Sequence, residues 1–326
     1  MCEQPAVSVI IPVYNAAGTL ARSLQSVVSS SIEDIEIICI NDGSTDESGD
    51  ILSTWARGDS RIKVITQKNS GVSAARNEGL MQAQGEYLTF VDADDEITDE
   101  YLANLLRAAR TYDADVVVCG QQQYDEEGKY KETILPFRDM PQMSPADLAA
   151  MPPSVCSHMY AATALQTPGG VAQFPLGIRY GEDTAFHYAV YPQCCHAVQI
   201  EESGYIIHYT GGSSNSRASS LVFDMLKALS WLASCYKQYN QPEDYRACLV
   251  CYASHTVRRM HSLGAHSLQA SAAADMRRIL REAGITESDF SCLNRRRASV
   301  LTDILRGGSG LNLSYYFKRF KKWLKM

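Results

Sequence analysis

Short β-branched apolar runs alternate with segments of helical periodicity from Val7 to Cys119, and this alternation constrains the fold more than any other feature of the sequence. The apolar runs lie at 7–13, 35–40, 62–65, 87–91 and 115–119. Between them Leu20, Leu24, Val27 and Val28, then Ile51, Leu52 and Trp55, then residues 73–84, then Leu102, Leu105, Leu106 and Ala109 recur at helical spacing. Runs this continuous are expected of strands covered on both faces. Strand alternating with helix at this pace implies an α/β fold: a mostly parallel central sheet flanked by helices and joined by right-handed crossovers. Residues 121–216 are looser and richer in Pro and Gly. From Leu221 the pattern is helical, so a helical C-terminal extension is expected over 217–326.

In such a sheet, ligands sit beyond the carboxyl ends of the strands. The polar clusters fall there: Pro12-Val13-Tyr14-Asn15, Asn41-Asp42-Gly43-Ser44 and Asp92-Ala93-Asp94-Asp95. Three carboxylates within four residues repel one another. A Mg²⁺ or Mn²⁺ ion relieves that conflict, because it takes carboxylate oxygens and completes its shell with phosphate and water. An acidic turn capping a helix that starts near Thr98 or Asp99 accounts for the same residues without a ligand. Asp42 suits the imide N–H of a uracil, with Tyr14 or Pro12 as a flat face for the base; ordinary turn chemistry explains Asn-Asp-Gly-Ser equally well. Gly181-Glu182-Asp183 enters a helix with Phe186 and Tyr188, and reads either as a general base with a supporting acid or as an acid-dressed helix start.

The order of these motifs carries more than any one of them. Val9-Ile10-Ile11-Pro12-Val13-Tyr14-Asn15, Ile40-Asn41-Asp42-Gly43-Ser44-Thr45-Asp46, Asn69-Ser70-Gly71-Val72-Ser73-Ala74-Ala75-Arg76-Asn77 and Phe90-Val91-Asp92-Ala93-Asp94-Asp95 together closely resemble the family-2 inverting glycosyltransferases of the GT-A fold, over roughly the first 120 residues. The resemblance implies a nucleotide-sugar donor, often a UDP-sugar, and a Mn²⁺ or Mg²⁺ ion. It implies donor contacts from Pro12, Tyr14, Asn15, Asp42, Arg76, Asp92 and Asp94, with Asp94 and Asp95 at the metal and Arg76 by the diphosphate. The Glu-Asp motif of the same family makes Asp183 the expected base, supported by Glu182. Residues 1–216 are then one transferase domain, with 1–120 the donor half and 121–216 the acceptor half. The segment at 205–214 departs from the family pattern, with Thr210 where an Arg is usual; His208 and Ser213 are candidate substitutes there, against an ordinary strand histidine.

Two further readings compete. A sugar nucleotidyltransferase also uses an α/β sheet with acidic metal ligands, but Tyr14-Asn15-Ala16-Ala17-Gly18 lacks the basic phosphate loop it normally needs. A non-catalytic nucleotide-sugar-binding protein would keep the donor acids and make Asp183 dispensable.

A formal charge of −7 argues against nucleic acid as the main partner. Ten cysteines without an export signal suggest reduced thiols and a cytoplasmic setting. Cys248, Cys251 and His255 have the spacing of half a zinc site, against the simpler reading of a buried helix face. In the tail Leu313, Tyr316, Phe317, Phe320, Trp323 and Leu324 share a helical face, with Lys and Arg on the remainder. Leu313 to Met326 is therefore expected to hold the chain to an anionic membrane surface on the inner face, which suits a lipid-linked or glycan acceptor in surface-polysaccharide synthesis.

Overall fold

The computed structural model describes residues 4–125, 127–134, 154–167, 170–208, 218–237, 242–262, 269–293 and 295–307. The chain forms two compact units, Met1–Ser214 and Asn215–Met326.

The strands of the first unit are, in chain order, β1 (Val7–Val13), β2 (Ile35–Asn41), β3 (Ile62–Thr66), β4 (Tyr87–Phe90), β5 (Glu96–Ile97), β6 (Val116–Val118) and β7 (Gln121–Tyr124). They continue as β8 (Tyr130–Ile134), β9 (His158–Ala161), β10 (Gln166–Thr167), β11 (Gly170–Val171), β12 (Ala197–Gln199) and β13 (Tyr205–His208). Its helices are α1 (Leu20–Val28), α2 (Ser48–Gly58), α3 (Val72–Gln82), α4 (Tyr101–Tyr112) and α5 (Glu182–Val190). The five expected strands all form, within a residue or two of the apolar runs; four of them bury every side chain or all but one, while β3, at the edge of the sheet, fully buries only Ile62.

The main sheet has the order β12-β6-β9-β4-β1-β2-β3 and is parallel except at β9, which runs against both β4 and β6. Strand order reverses at β1, with β2 on one side and β4 on the other, so the crevice beyond the carboxyl ends of β1, β2 and β4 is where such a sheet admits a ligand. A four-stranded sheet, β5-β13-β7-β8, lies in the same unit.

α3 is made of small residues where it meets the sheet: a Cβ added at Gly79 would lie 2.4 Å from Ile10 Cγ2, so only glycine permits the approach. α4 begins at Tyr101 rather than under a Thr98 or Asp99 side-chain cap. The reason is that Glu96 and Ile97 pair with β13 and Thr98 N–H donates to Gly204 O, so the chain is still extended there. At the opposite end of the sheet the buried Glu36 is satisfied by Ser8 Oγ (2.6 Å), Gln84 N (2.6 Å) and Lys63 Nζ (2.6 Å). Burial pushes its carboxyl up, and these hydrogen bonds outweigh that and leave it below the usual range.

The second unit consists, among the described residues, of α6 (Ala218–Tyr236), α7 (Pro242–Ser262), α8 (Gln269–Glu282), a 3-10 turn (Glu287–Cys292) and α9 (Arg295–Arg306). Leu229, Leu232, Leu249, Tyr252, Met276, Leu280 and Leu301 form its interior. Cys248 is in this core, while Cys251 is only partly covered. No described helix is long and apolar enough to cross a membrane. The amphipathic tail of Leu313 to Met326, and Thr210 and Ser213, lie outside the described residues.

Candidate active site

The loops after β1 and β2 brace each other. The N–H groups of Asn15, Ala16 and Ala17 donate to Ser44 Oγ (3.1 Å), Ser48 Oγ (2.9 Å) and Asp46 Oδ2 (3.0 Å). In return Asn15 Oδ1 accepts from Thr45 N at 2.8 Å, which draws the Asn15 backbone into the left-handed region at φ 49°. The expected donor contact of Asn15 is thus a side chain already used to shape the loop. Tyr14 is left 53% exposed beside it, a ring free to stack, and Pro12 is half-buried. Asp42 is buried, and accepts from Gln67 Nε2 (2.7 Å), Ser70 N (2.9 Å) and Gly71 N (2.8 Å). It fastens the turn that leads into α3. Its carboxylate has about four acceptor directions, so one remains.

The acidic loop after β4 is held by its backbone, which leaves side chains for other work. Thr19 Oγ1, Arg22 Nη2 and Ser23 Oγ on α1 and its approach donate to the carbonyls of Ala93 (2.9 Å), Asp94 (2.9 Å) and Asp92 (3.2 Å). Arg22 Nε also pairs with Glu96 at 3.0 Å. Asp95 is the other acid expected at the metal. It is buried, and its two oxygens accept from Tyr205 Oη (2.8 Å) and His208 N (3.1 Å), so it ties the loop to β13. Burial, with Asp92 and Asp94 adding repulsion, pushes its carboxyl up to about 8. His208 is likewise engaged within the protein, its Nε2 2.6 Å from Glu96.

Arg76 joins the two halves of the site. Its guanidinium is 4% exposed, with Nη2 2.9 Å from Asp92 Oδ1 and Nη1 3.3 Å from Glu182 Oε1. It also stands 5.3 Å above the Phe174 ring, which stacks on Phe186 at 4.0 Å. The neighbouring Asn77 clamps the Phe174 backbone in both directions, at 2.7 and 3.0 Å. Residues from α3, the β4 end and α5 therefore meet around one buried cation. Asp183 is the next residue along, at the second position of α5, whose start is set by Gly181 at φ 84°. Burial, then the Glu182 charge, raises the Asp183 carboxyl to about 7, against a smaller downward pull from Arg76. A carboxylate near neutrality is suited to taking a proton.

Residues 8–162 match the family model described as Glycosyl transferase family 2. They are a family-2 glycosyltransferase domain. The chain is 42% identical over 130 residues to the glycosyltransferase GlyA of Streptococcus pneumoniae, which covers 40% of this chain and 19% of that one. It is 39% identical over 137 residues to the cholesterol galactosyltransferase of Borreliella burgdorferi, covering 41% and 38%. The chain thus spans well under half of these relatives. Its fold matches residues 1–349 of S. aureus TarS with a TM-score of 0.72 at 18% identity, covering 93% of this chain and 88% of that one; TarS has also been solved with UDP-GlcNAc. The architecture is of the GT-A type, a mostly parallel sheet flanked by helices with a helical C-terminal region.

Within the transferase domain the acids suit a divalent cation of the Mg²⁺ or Mn²⁺ kind. Asp94 is exposed, and the protein behind it, together with the Asp92 charge, raises its carboxyl. Such a pair gains from a cation. Among the described residues no group of three or more His, Cys, Asp or Glu converges on one point.

Thr19, Arg22, Ser23, Asn77 and Tyr205 were not singled out from the sequence. Three of them carry a legible signal: Thr19, Arg22 and Ser23 put polar groups at i, i+3 and i+4 of a helix whose other inward positions are apolar.

Proposed function

We propose that the protein is a metal-dependent inverting glycosyltransferase that moves a sugar from a nucleotide-diphosphate donor, a UDP-sugar, to a hydroxyl of a glycan or lipid-linked acceptor in surface-polysaccharide synthesis. The observation that carries this reading is the Arg76 bridge. It brings the strand-end acid Asp92 and the helix-start acid Glu182 to one point, with Asp183 adjacent and its carboxyl raised. A donor half and a base are thereby supported in one crevice.

In this reading Tyr14 and Pro12 face the base, the remaining acceptor direction of Asp42 meets the imide, and Asp92 and Asp94 serve the ribose and the cation. The cation, Mn²⁺ or Mg²⁺ on Asp94 with Asp92, would offset charge on the departing diphosphate. Asp183 takes the proton of the acceptor hydroxyl as its oxygen attacks the anomeric carbon. The bond from that carbon to the diphosphate oxygen breaks on the opposite face, so the configuration inverts. Glu182 keeps Arg76 and the start of α5 in place, and Arg76 sets the spacing between donor acid and base. Residues 121–216 supply the acceptor half. The cytoplasmic face of a membrane, engaged through Leu313 to Met326, is the proposed location; liposome binding that survives deletion of this tail would remove that part.

The test is thermal stability with nucleoside diphosphates, with and without Mn²⁺, paired with UDP release from a panel of UDP-sugars and hydroxyl acceptors. Ligand at about 100 times its dissociation constant stabilises by about 2.7 kcal/mol. A Mn²⁺-dependent shift with UDP, and acceptor-dependent UDP release, are expected. A well-folded sample with no shift from any nucleotide would overturn the reading.

A further inference from the structure

One phenol clamps the acid loop after β4 at both ends. Asp92 N–H donates to Tyr205 Oη at 3.1 Å, and Tyr205 Oη donates to Asp95 Oδ2 at 2.8 Å. A phenol has one proton to give and lone pairs to accept with, so the two bonds are compatible and their directions are fixed. The first meets the loop where it leaves the sheet, just after Val91 N–H pairs with Ile10 O of β1 at 3.0 Å. The second meets it where it turns, since Asp95 N–H donates to Asp92 O at 3.1 Å. The position of Tyr205 is set by packing, independently of the loop. It is fully buried on β13, paired with Ile97 of β5 and Gln121 of β7, and its ring lies 6.0 Å from that of Tyr101. Gly204 before it lets α4 approach: a Cβ there would stand 2.8 Å from Thr98 Oγ1 and 2.9 Å from Tyr101 Cβ. Filling the core does not ask for the hydroxyl, because a phenylalanine ring would occupy nearly the same volume.

We propose that Tyr205 is a positioning residue for the divalent cation: its hydroxyl holds the Asp92–Asp95 loop in the shape that presents Asp92 and Asp94 to the metal. The inference rests on the donor site proposed above. Tyr205 is buried and its hydroxyl is committed to two partners, so it acts through the loop and is not itself a ligand. The carbonyls of residues 92–94 are held separately, from α1 and its approach, and β13 adds a second tie through His208 N–H to Asp95 Oδ1 at 3.1 Å. Removing the hydroxyl takes a partner from Asp92 N–H and from Asp95 Oδ2, within a loop whose three carboxylates already repel one another. The loop then relaxes away from the metal-binding shape. Groups that orient metal ligands in this way are worth about 10- to 100-fold in metal affinity.

The test is the Mn²⁺ dissociation constant of the full chain at saturating UDP, read from the electron paramagnetic resonance of free Mn²⁺, so that no turnover is needed. Tyr205→Phe should raise that constant about 10- to 100-fold and leave the metal-free UDP thermal shift as in the parent. Tyr101→Phe controls for lost stability alone. It removes another buried hydroxyl, bonded to Cys156 O at 2.6 Å and not to the loop, and should leave the constant unchanged. If Tyr205→Phe folds poorly, the same substitution is made in an Asp95→Asn background, which removes the carboxylate it would strand. Compared with Asp95→Asn alone, it should again weaken Mn²⁺ binding, through Asp92. A constant unchanged by Tyr205→Phe, or raised equally by Tyr101→Phe, would overturn the assignment and leave the donor-site reading standing. A parent chain that binds UDP but takes up no Mn²⁺ would remove the cation from that reading, and this role of Tyr205 with it.

Discussion

The carboxyl ends of β2 and β4 present the same chemical group and treat it in opposite ways. Asp42, after β2, has three hydrogen bonds from Gln67, Ser70 and Gly71, and is buried. Its charge is matched by donors of the chain itself, so it acts first as a brace. After β4 the protein spends its donors on the carbonyls of residues 92–94 and leaves Asp94 exposed, with Asp92 as a like-charged neighbour. Asp92 shares Arg76 with Glu182, while Asp94 is held in place with its carboxyl raised beside that like charge, the state from which a cation gains most. The lesson is that an acid at a strand end is informative only once its own donors have been counted.

The largest expected effect lies beyond both ends, at the proposed base. Asp183→Asn should lower transfer by about 10³-fold, within the usual contribution of a general base, while the UDP thermal shift stays as in the parent. Loss of the shift as well would mean that α5 belongs to the donor site, and the separation between binding acids and reacting acid would fail. Arg76→Met comes next. It removes the cation between Asp92 and Glu182, and breaking a buried pair in this way costs about 3–5 kcal/mol, to be read from urea unfolding.

The two strand ends can then be compared directly. Asp94→Asn should remove the Mn²⁺-dependent part of the UDP shift, about 2.7 kcal/mol at saturation, with unfolding in the absence of ligand unchanged or slightly improved because repulsion from Asp92 is relieved. Asp42→Ala should instead weaken the UDP shift with or without Mn²⁺ and lower stability as well. It strands the donors of Ser70 and Gly71 and should cost about 2 kcal/mol of stability in the absence of any nucleotide. An Asp42→Ala protein of native stability that no longer binds UDP would make Asp42 a ligand contact rather than a brace.

The sheet was legible because most of its strands are buried on both faces, and burial on both faces leaves continuous apolar runs such as Val7–Val13. The antiparallel β9 was not, because His158–Ala161 lies in a Pro- and Gly-rich stretch and its polar His158 is satisfied by the distant Tyr191 and by the nearby Ser154 O and Ser157 Oγ. Among the acids, the resemblance led to the expectation of Asp92, Asp94 and Asp183 in one site, and the structure joins Asp92 through Arg76 to Glu182, the residue before Asp183. It did not distinguish Asp95, whose inward role depends on Tyr205 and His208 from a strand more than a hundred residues on. Local spacing records which residue types are available; it does not record which way a carboxylate is already satisfied.

The smallest effect is the dependence of stability on pH, and it separates a raised carboxyl from an ordinary one. The folded protein holds a proton on Asp183 up to about 7, whereas in the unfolded chain that carboxyl ionises near its ordinary 3.8. Between those values the folded state binds the extra proton, so the contribution of Asp183 is full below about pH 4 and is lost as pH rises through about 7. Part of the side chain meets solvent, so the slope should be about 0.5 kcal/mol per pH unit, below the ceiling of about 1.4 for one proton. Asp183→Asn should flatten that slope in urea titrations from pH 4.5 to 7.5. If the slope survives Asp183→Asn, the extra proton resides on Asp95, whose carboxyl is raised to about 8, and the strained acid of this site is the structural one rather than the proposed base.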